Sequence, residues 1–376
     1  MKRFLIPGLL ALACLSFCAG AEADTTVVND FATLRDAVQN PASLDIELGA
    51  DITLTAAIPV SLDAKIDGKG HTLKAGGNFR HFNVTDTPTL EFKAVTFDGD
   101  SQGGGVSIPS GGKAKFEGGA FKNNQSAVAG GAVSVASGGE VSFNGTAFTD
   151  NQALGNGGAV SVAGTGKATF TGTIAFTRNT ASGNGGAVHL DGAAAEFPSG
   201  VSFENNRAEN GGAVALSGSA SSKATFNGNV LSPNTAIVSG GSLYIPGSAA
   251  VVFNAAQNFT GNSATNGGAV WVDTLPSPSQ TVTFTNNTAS GAGGAVYVGG
   301  AGTLSDAFKF TTNSAAQGGA VYAGANLTVS GGTFSGNTAS GSGGAIYVDG
   351  TATVTGGTFE AGNKAEGTGP DDGGGA

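Results

Sequence analysis

Between Asp63 and His81 the chain places two carboxylates, a lysine, an arginine and a histidine close together: Asp63, Asp67, Lys69, Arg80 and His81. No other stretch is as dense in groups that could move a proton or hold a developing charge. Cleaving a polysaccharide calls for a positioned base, or for a pair of carboxylates flanking the scissile bond. Asp67, Lys69, Arg80 and His81 are therefore the candidate catalytic set. Against that reading, Asp67-Gly68-Lys69-Gly70 is also a plain turn sequence, and no second acidic cluster recurs further along the chain. The balance favours a protein with no catalytic role, and a polysaccharide-active enzyme is the alternative.

A second group is sparser and more ordered. Every tyrosine and the only tryptophan fall at Tyr244, Trp271, Tyr297, Tyr322 and Tyr347. Each occupies the same place in a recurring segment. The tetrapeptide GGA(V/I) starts at Gly130, Gly157, Gly185, Gly211, Gly267, Gly293, Gly318 and Gly343, with GGSL at Gly240 and a worn GGVS at Gly104. From Gly130 onward the spacings run from 25 to 29 residues, the size of one coil of an array whose units are stable only when stacked. Apolar residues alternate in the strand that follows each glycine pair, so the residue between them faces outward. Down the array that outward position reads Ser134, Ser161, His189, Ala215, then the five aromatics. Such a column can stack on itself and stiffen the rod. It can also form a strip that takes sugar rings or the apolar surface of another protein.

The third group is an F-x-x-N box, seen as Phe121/Asn124, Phe148/Asn151, Phe176/Asn179, Phe203/Asn206, Phe259/Asn262, Phe284/Asn287, Phe310/Asn313 and Phe334/Asn337. Leu231/Asn234 is a substituted copy, and Phe359/Asn363 carries one extra residue. The Asn column is expected to form a ladder of amides that satisfy turn carbonyls and one another. Asn without carboxylates at a fixed offset is not a metal-binding set, so neither metal nor cofactor is expected. The glycine pairs lack the strand–loop–helix context and recurring Lys of a phosphate cradle, and are read as tight turns.

Three short strands per coil, all wound the same way, predict an all-β, right-handed parallel β-helix of roughly twelve coils. Residues 101–376 form the repeats, and residues 24–100 form a cap and the first coils. In the cap, Asn29 or Asp30 can start a helix with Phe31, Leu34 and Val38 on one face and Asn40-Pro41 as its stop. Residues 1–23 read as a secretory signal: Lys2 and Arg3, an apolar run, then Ala21-Glu22-Ala23. Both cysteines, Cys14 and Cys18, lie within it, so the exported chain uses no disulfide. The formal charge of −10 argues against nucleic acid and anionic lipid as partners.

GGA(V/I) and F-x-x-N together, at this period and behind a signal, resemble the polymorphic outer membrane protein repeat family, the chlamydial-type autotransporter passengers. The segments FATLRDAV and IDGKGHTL resemble the N-terminal coils of pectate-lyase-like β-helices. The resemblance implies an adhesin or surface antigen on the outer membrane of a Gram-negative-type bacterium, or outside the cell. Its partner would be a host-cell surface protein or glycan, or a second copy; a structural surface-layer role is a further alternative. Such passengers meet the membrane through a translocator barrel, which this sequence does not include. The final Gly374-Gly375-Ala376 falls where the next GGA strand would begin, so the last coil reads as unfinished.

Overall fold

The computed structural model describes residues 25–40 and 45–367. Residues 1–23, expected from the sequence to be a signal, with Cys14 and Cys18, the Pro41 expected as the helix stop, and Gly374-Gly375-Ala376 lie outside the described residues. The rest is a right-handed parallel β-helix of about 12 turns. One helix, α1 (Phe31–Val38), lies against the first strands and buries Leu34, Ala37 and Val38. Asp30 caps it: its carboxylate accepts the Thr33 N–H at 2.9 Å, while the Thr33 hydroxyl reaches back toward the Asp30 backbone.

One coil illustrates the winding. The chain runs through Glu140–Asn144 on a first sheet, Ala147–Thr149 on a third, Gln152–Ala153 on a fourth and Val160–Ala163 on a second. It then returns to the first sheet at Lys167–Thr171. The repeat therefore has four strands rather than three. The additional one is only two residues long in most coils, and it follows each ladder Asn.

Phenylalanine fills the interior. On the third sheet, Phe121, Phe148, Phe176 and Phe203 stack with centroids 5.3, 4.7 and 5.0 Å apart and nearly parallel rings. A second column from Phe92 to Phe253 on the first sheet meets them edge-on, as where Phe143 and Phe148 cross at 83°. Edge-to-face contacts between two offset stacks suit the ring quadrupole and fix the distance between the sheets.

Both glycines of each pair are needed, for different reasons. Gly267 has φ +61°, a conformation costly to any side chain. At Gly268 a Cβ would lie 2.1 Å from the Gly294 carbonyl oxygen of the next coil. The second glycine thus lets adjacent turns stack at the strand spacing.

The first sheet is interrupted once. Its tenth strand is Ala250–Phe253, and the same position in the next coil holds Thr274–Gln280 with Pro276 and Pro278, which have no N–H to donate. Leu275 turns inward beneath Gly302, where a three-stranded sheet resumes with Gly302–Leu304.

Candidate binding surface

The charged group proposed for catalysis does not assemble. Asp67 ends strand Ala64–Asp67 on the first sheet, whereas Arg80 and His81 lie half a coil onward, at the entry to the second. His81 is fully buried. Its Nδ1 accepts the Gly105 N–H at 2.8 Å, and Nε2 lies 3.2 Å from the Asp98 carbonyl oxygen. Both nitrogens are occupied by backbone, which leaves neither for a substrate.

Arg80 reaches upward past one coil. Its guanidinium donates to the carbonyls of Ala129 and Gly130 at 2.9 and 2.8 Å and to Ser126 Oγ at 3.0 Å. Burial pulls its pKa down to about 10. The worn GGVS copy below Gly130 supplies no regular turn there, and Arg80 satisfies those carbonyls instead. Arg80→Met is expected to cost about 2–3 kcal/mol by leaving the Gly130 carbonyl without this donor and the Ala129 carbonyl with the Ser126 hydroxyl alone. Thermal unfolding checks this beside Lys69→Ala, which should stay within about 0.5 kcal/mol.

Asp67 and Lys69 belong to a zwitterionic face. Lys69 Nζ lies 3.1 Å from Glu47 and 3.6 Å from Asp67, and Lys93 lies 3.2 Å from Asp67. Partial burial works against the Asp67 charge, but the Lys69 N–H and the two ammonium groups outweigh it and hold the carboxyl below its ordinary range. Parallel pairing sets Asp45, Lys65, Glu91 and Lys115 in one outward column of alternating sign. A recess of about 300 Å³ lies over these strands. Of its carboxylates, Glu47, Asp67 and Glu117 pair with lysines.

The asparagines form a continuous buried ladder. Asn151 Nδ2 donates to Asn179 Oδ1 at 2.9 Å and to the Phe121 carbonyl at 3.0 Å, and its own N–H donates to the same Oδ1 at 3.1 Å. The pattern repeats through Asn124, Asn151, Asn179 and Asn206 to Asn234, and from Asn262 through Asn287, Asn313 and Asn337 to Asn363. Between Asn234 and Asn262 the amide link passes through Ser242 Oγ, at 3.2 and 2.7 Å. Ser242 is the residue that turns GGA into GGSL, so the odd copy carries a rung. Asn124 Oδ1, at the ladder's lower end, is the one buried side-chain N or O atom without a partner among the described residues.

Strand register places Tyr244, Trp271, Tyr297, Tyr322 and Tyr347 directly over one another on the second sheet. Successive centroids are 5.0, 5.8, 4.8 and 5.5 Å apart. All five rings are half-buried. The outward reading fails lower down: Ser161, His189 and Ala215 share the column but are buried, Ala215 lying directly beneath Tyr244. Burial drives the pKa of His189 down to about 4, against the pull of Asp191.

Two features flank the column. The fourth-sheet strand Thr235–Ser239 carries one extra residue relative to the coil below, and the bulge pushes Ile237 and Val238 into solvent just before the turn that leads to Tyr244. Beyond the rings, Asp273 follows Trp271 by two residues and Asp349 follows Tyr347 by two, with Gly299 and Gly324 at that position between them. The Tyr322 hydroxyl donates to Asp349. Burial, then Asp349 and Asp273, raise the pKa of Tyr297. No groups of three or more His, Cys, Asp or Glu that could hold a metal occur among the described residues.

Comparison with known proteins bears on both halves of the rod. Residues 80–274, more than half of the chain, match the right handed beta helix region. Residues 281–299 and 331–349 match the Chlamydia polymorphic membrane protein repeat. The two matches meet at the proline-bearing coil that interrupts the first sheet. Neither curated proteins nor solved structures yield a match. The chain belongs to the right-handed β-helix family, and its later coils carry the polymorphic membrane protein repeat.

Proposed function

We propose that this chain is the surface-displayed or secreted passenger of an outer-membrane autotransporter and that it acts as an adhesin through the aromatic column. The observation that carries the proposal is the run of five half-exposed rings stacked along one face, where the other aromatic side chains among the described residues are Phe, all buried except Phe31, Phe79 and Phe359. Stacking turns most of each ring face toward its neighbour, so solvent meets ring edges and hydroxyls. A sugar ring needs a free face to lie on, whereas a protein surface can use edges, hydroxyls and the nearby Ile237 and Val238. That favours a protein partner over a glycan.

The test is the double variant Trp271→Ser/Tyr297→Ser, compared with the unmodified chain for attachment to host cells and for thermal unfolding. Attachment should fall at least about tenfold, as for removal of two aromatic anchors. Unchanged attachment with a lowered melting temperature would make the column a stiffening device and remove the proposal.

A further inference from the structure

We propose that the partner face received by this column is cationic: an arginine- or lysine-bearing segment of a protein, its charged heads set between Asp273 and Asp349 beside the Tyr297 and Tyr322 hydroxyls. This rests on the column being a binding surface and goes further by giving the partner's chemistry.

Charge distribution is the first argument. From Ala224 to the end the sequence has two lysines, Lys309 and Lys364, and no arginine, against seven carboxylates. Lys364 pairs with Glu366 at 3.0 Å, and Lys309 lies on the third sheet. Among the described residues no Lys or Arg pairs with Asp273 or Asp349, whereas Glu47, Asp67 and Glu117 on the first sheet pair with lysines.

Shape is the second. Asp273 Oδ2 accepts the Gly247 N–H of the coil below at 2.5 Å, which leaves Oδ1 directed to the next coil, where a Cβ at Gly299 would lie 2.3 Å from it. Asp349 reaches down one coil to the Tyr322 hydroxyl. The two carboxylates thus converge from opposite ends on a strip that two glycines leave bare. A Cβ at Gly324 would come within 3.5 Å of the Tyr297 hydroxyl, so any side chain there would narrow the strip. Carboxylate oxygens, phenol oxygens and apolar ring surface in one place suit a guanidinium or ammonium on an aliphatic stem. A sulfated or carboxylated polymer would be repelled.

The experiment measures binding of the full chain to immobilised nona-arginine, with heparin as the opposite-charge probe, in about 50 mM salt so that screening does not hide the effect. Asp273→Asn/Asp349→Asn should weaken nona-arginine binding roughly tenfold, the sum of two desolvating charge contacts. Glu91→Gln/Glu117→Gln, an equal charge change on the first sheet, should alter it less than about twofold. Equal losses in both pairs would mean non-specific attraction and would overturn the proposal, as would a preference for heparin or no binding at all. Failure here with attachment still lost in Trp271→Ser/Tyr297→Ser leaves the binding surface and removes only its cationic partner. Attachment that survives in that variant removes the surface itself.

Discussion

Asn287→Ala is expected to destabilise the rod by about 3–5 kcal/mol, because it breaks the amide ladder at four hydrogen bonds. Asn287 Nδ2 donates to the Phe259 carbonyl and to Asn313 Oδ1, while its Oδ1 accepts from both the backbone and the side chain of Asn262. All of these groups are buried; in the alanine variant the backbone N–H of residue 287 still donates to Asn313 Oδ1 and Asn262 Nδ2 still donates to the Leu231 carbonyl, whereas the Asn262 N–H and the Phe259 carbonyl lose the partner that Asn287 gives them. The cost is the desolvation of these two groups, with two others left one bond short, rather than the net value of four bonds, and each orphan costs about 1–3 kcal/mol before relaxation. Urea unfolding of the variant beside Thr283→Ala, whose side chain points outward on the same coil, gives the comparison. Thr283→Ala should stay within about 0.5 kcal/mol. Because stability in an array is largely nearest-neighbour, hydrogen exchange should quicken first around Asn262 and Asn313 and least in the early coils. Equal effects of the two substitutions would show that the ladder is incidental.

The architecture was legible because period, glycine pair and F-x-x-N box are each imposed by stacking. A residue one period away is a spatial neighbour, so Asn287 announces its contacts with Asn262 and Asn313 in the sequence itself. The same rule explains why the charged cluster misled. Asp67 and His81 are half a period apart, which looks close along the chain but puts them on different walls of the coil. Their local density carried no spatial meaning. The fourth strand was hidden because two residues cannot display an alternation. Ser242 reads in the sequence as part of a variant copy, GGSL, and is also a rung of the ladder; only the side-chain geometry reveals that its hydroxyl spans Asn234 and Asn262. For the candidate binding surface, alternation placed the five aromatics in one column, yet it could not tell an outward position from an exposed one. His189 and Ala215 are outward by parity and buried by what lies over them.

Burial of His81 and His189 makes a second large effect, seen as acid sensitivity. Both imidazoles are pushed down to about 4, chiefly by burial, although Asp98 and Asp191 pull the other way. At His81 the only lone pair open to a proton is the one that accepts the Gly105 N–H, so protonation would also break that bond. In the unfolded chain each titrates near 6.5. The sign follows from the proton count. Below about pH 6.5 the unfolded state takes up protons that the folded state refuses, so stability falls as pH falls and levels off near pH 4. Each histidine contributes up to about 3 kcal/mol over that window. Carboxylates held below their ordinary range, such as Asp98 and Asp67, act in a lower window: their contribution persists above about pH 4 and is lost only below it. Urea unfolding at pH 7 and pH 4.5 should therefore show a loss in the wild-type chain that is smaller by about 2–3 kcal/mol in His81→Asn, whose amide oxygen can still accept the Gly105 N–H. The absolute stability of that variant at pH 7 is not the readout; its shallower pH dependence is. A variant as acid-sensitive as the wild type would mean that His81 is charged or accessible in the folded rod, and the core around Phe97 and Gly105 would then have to admit water.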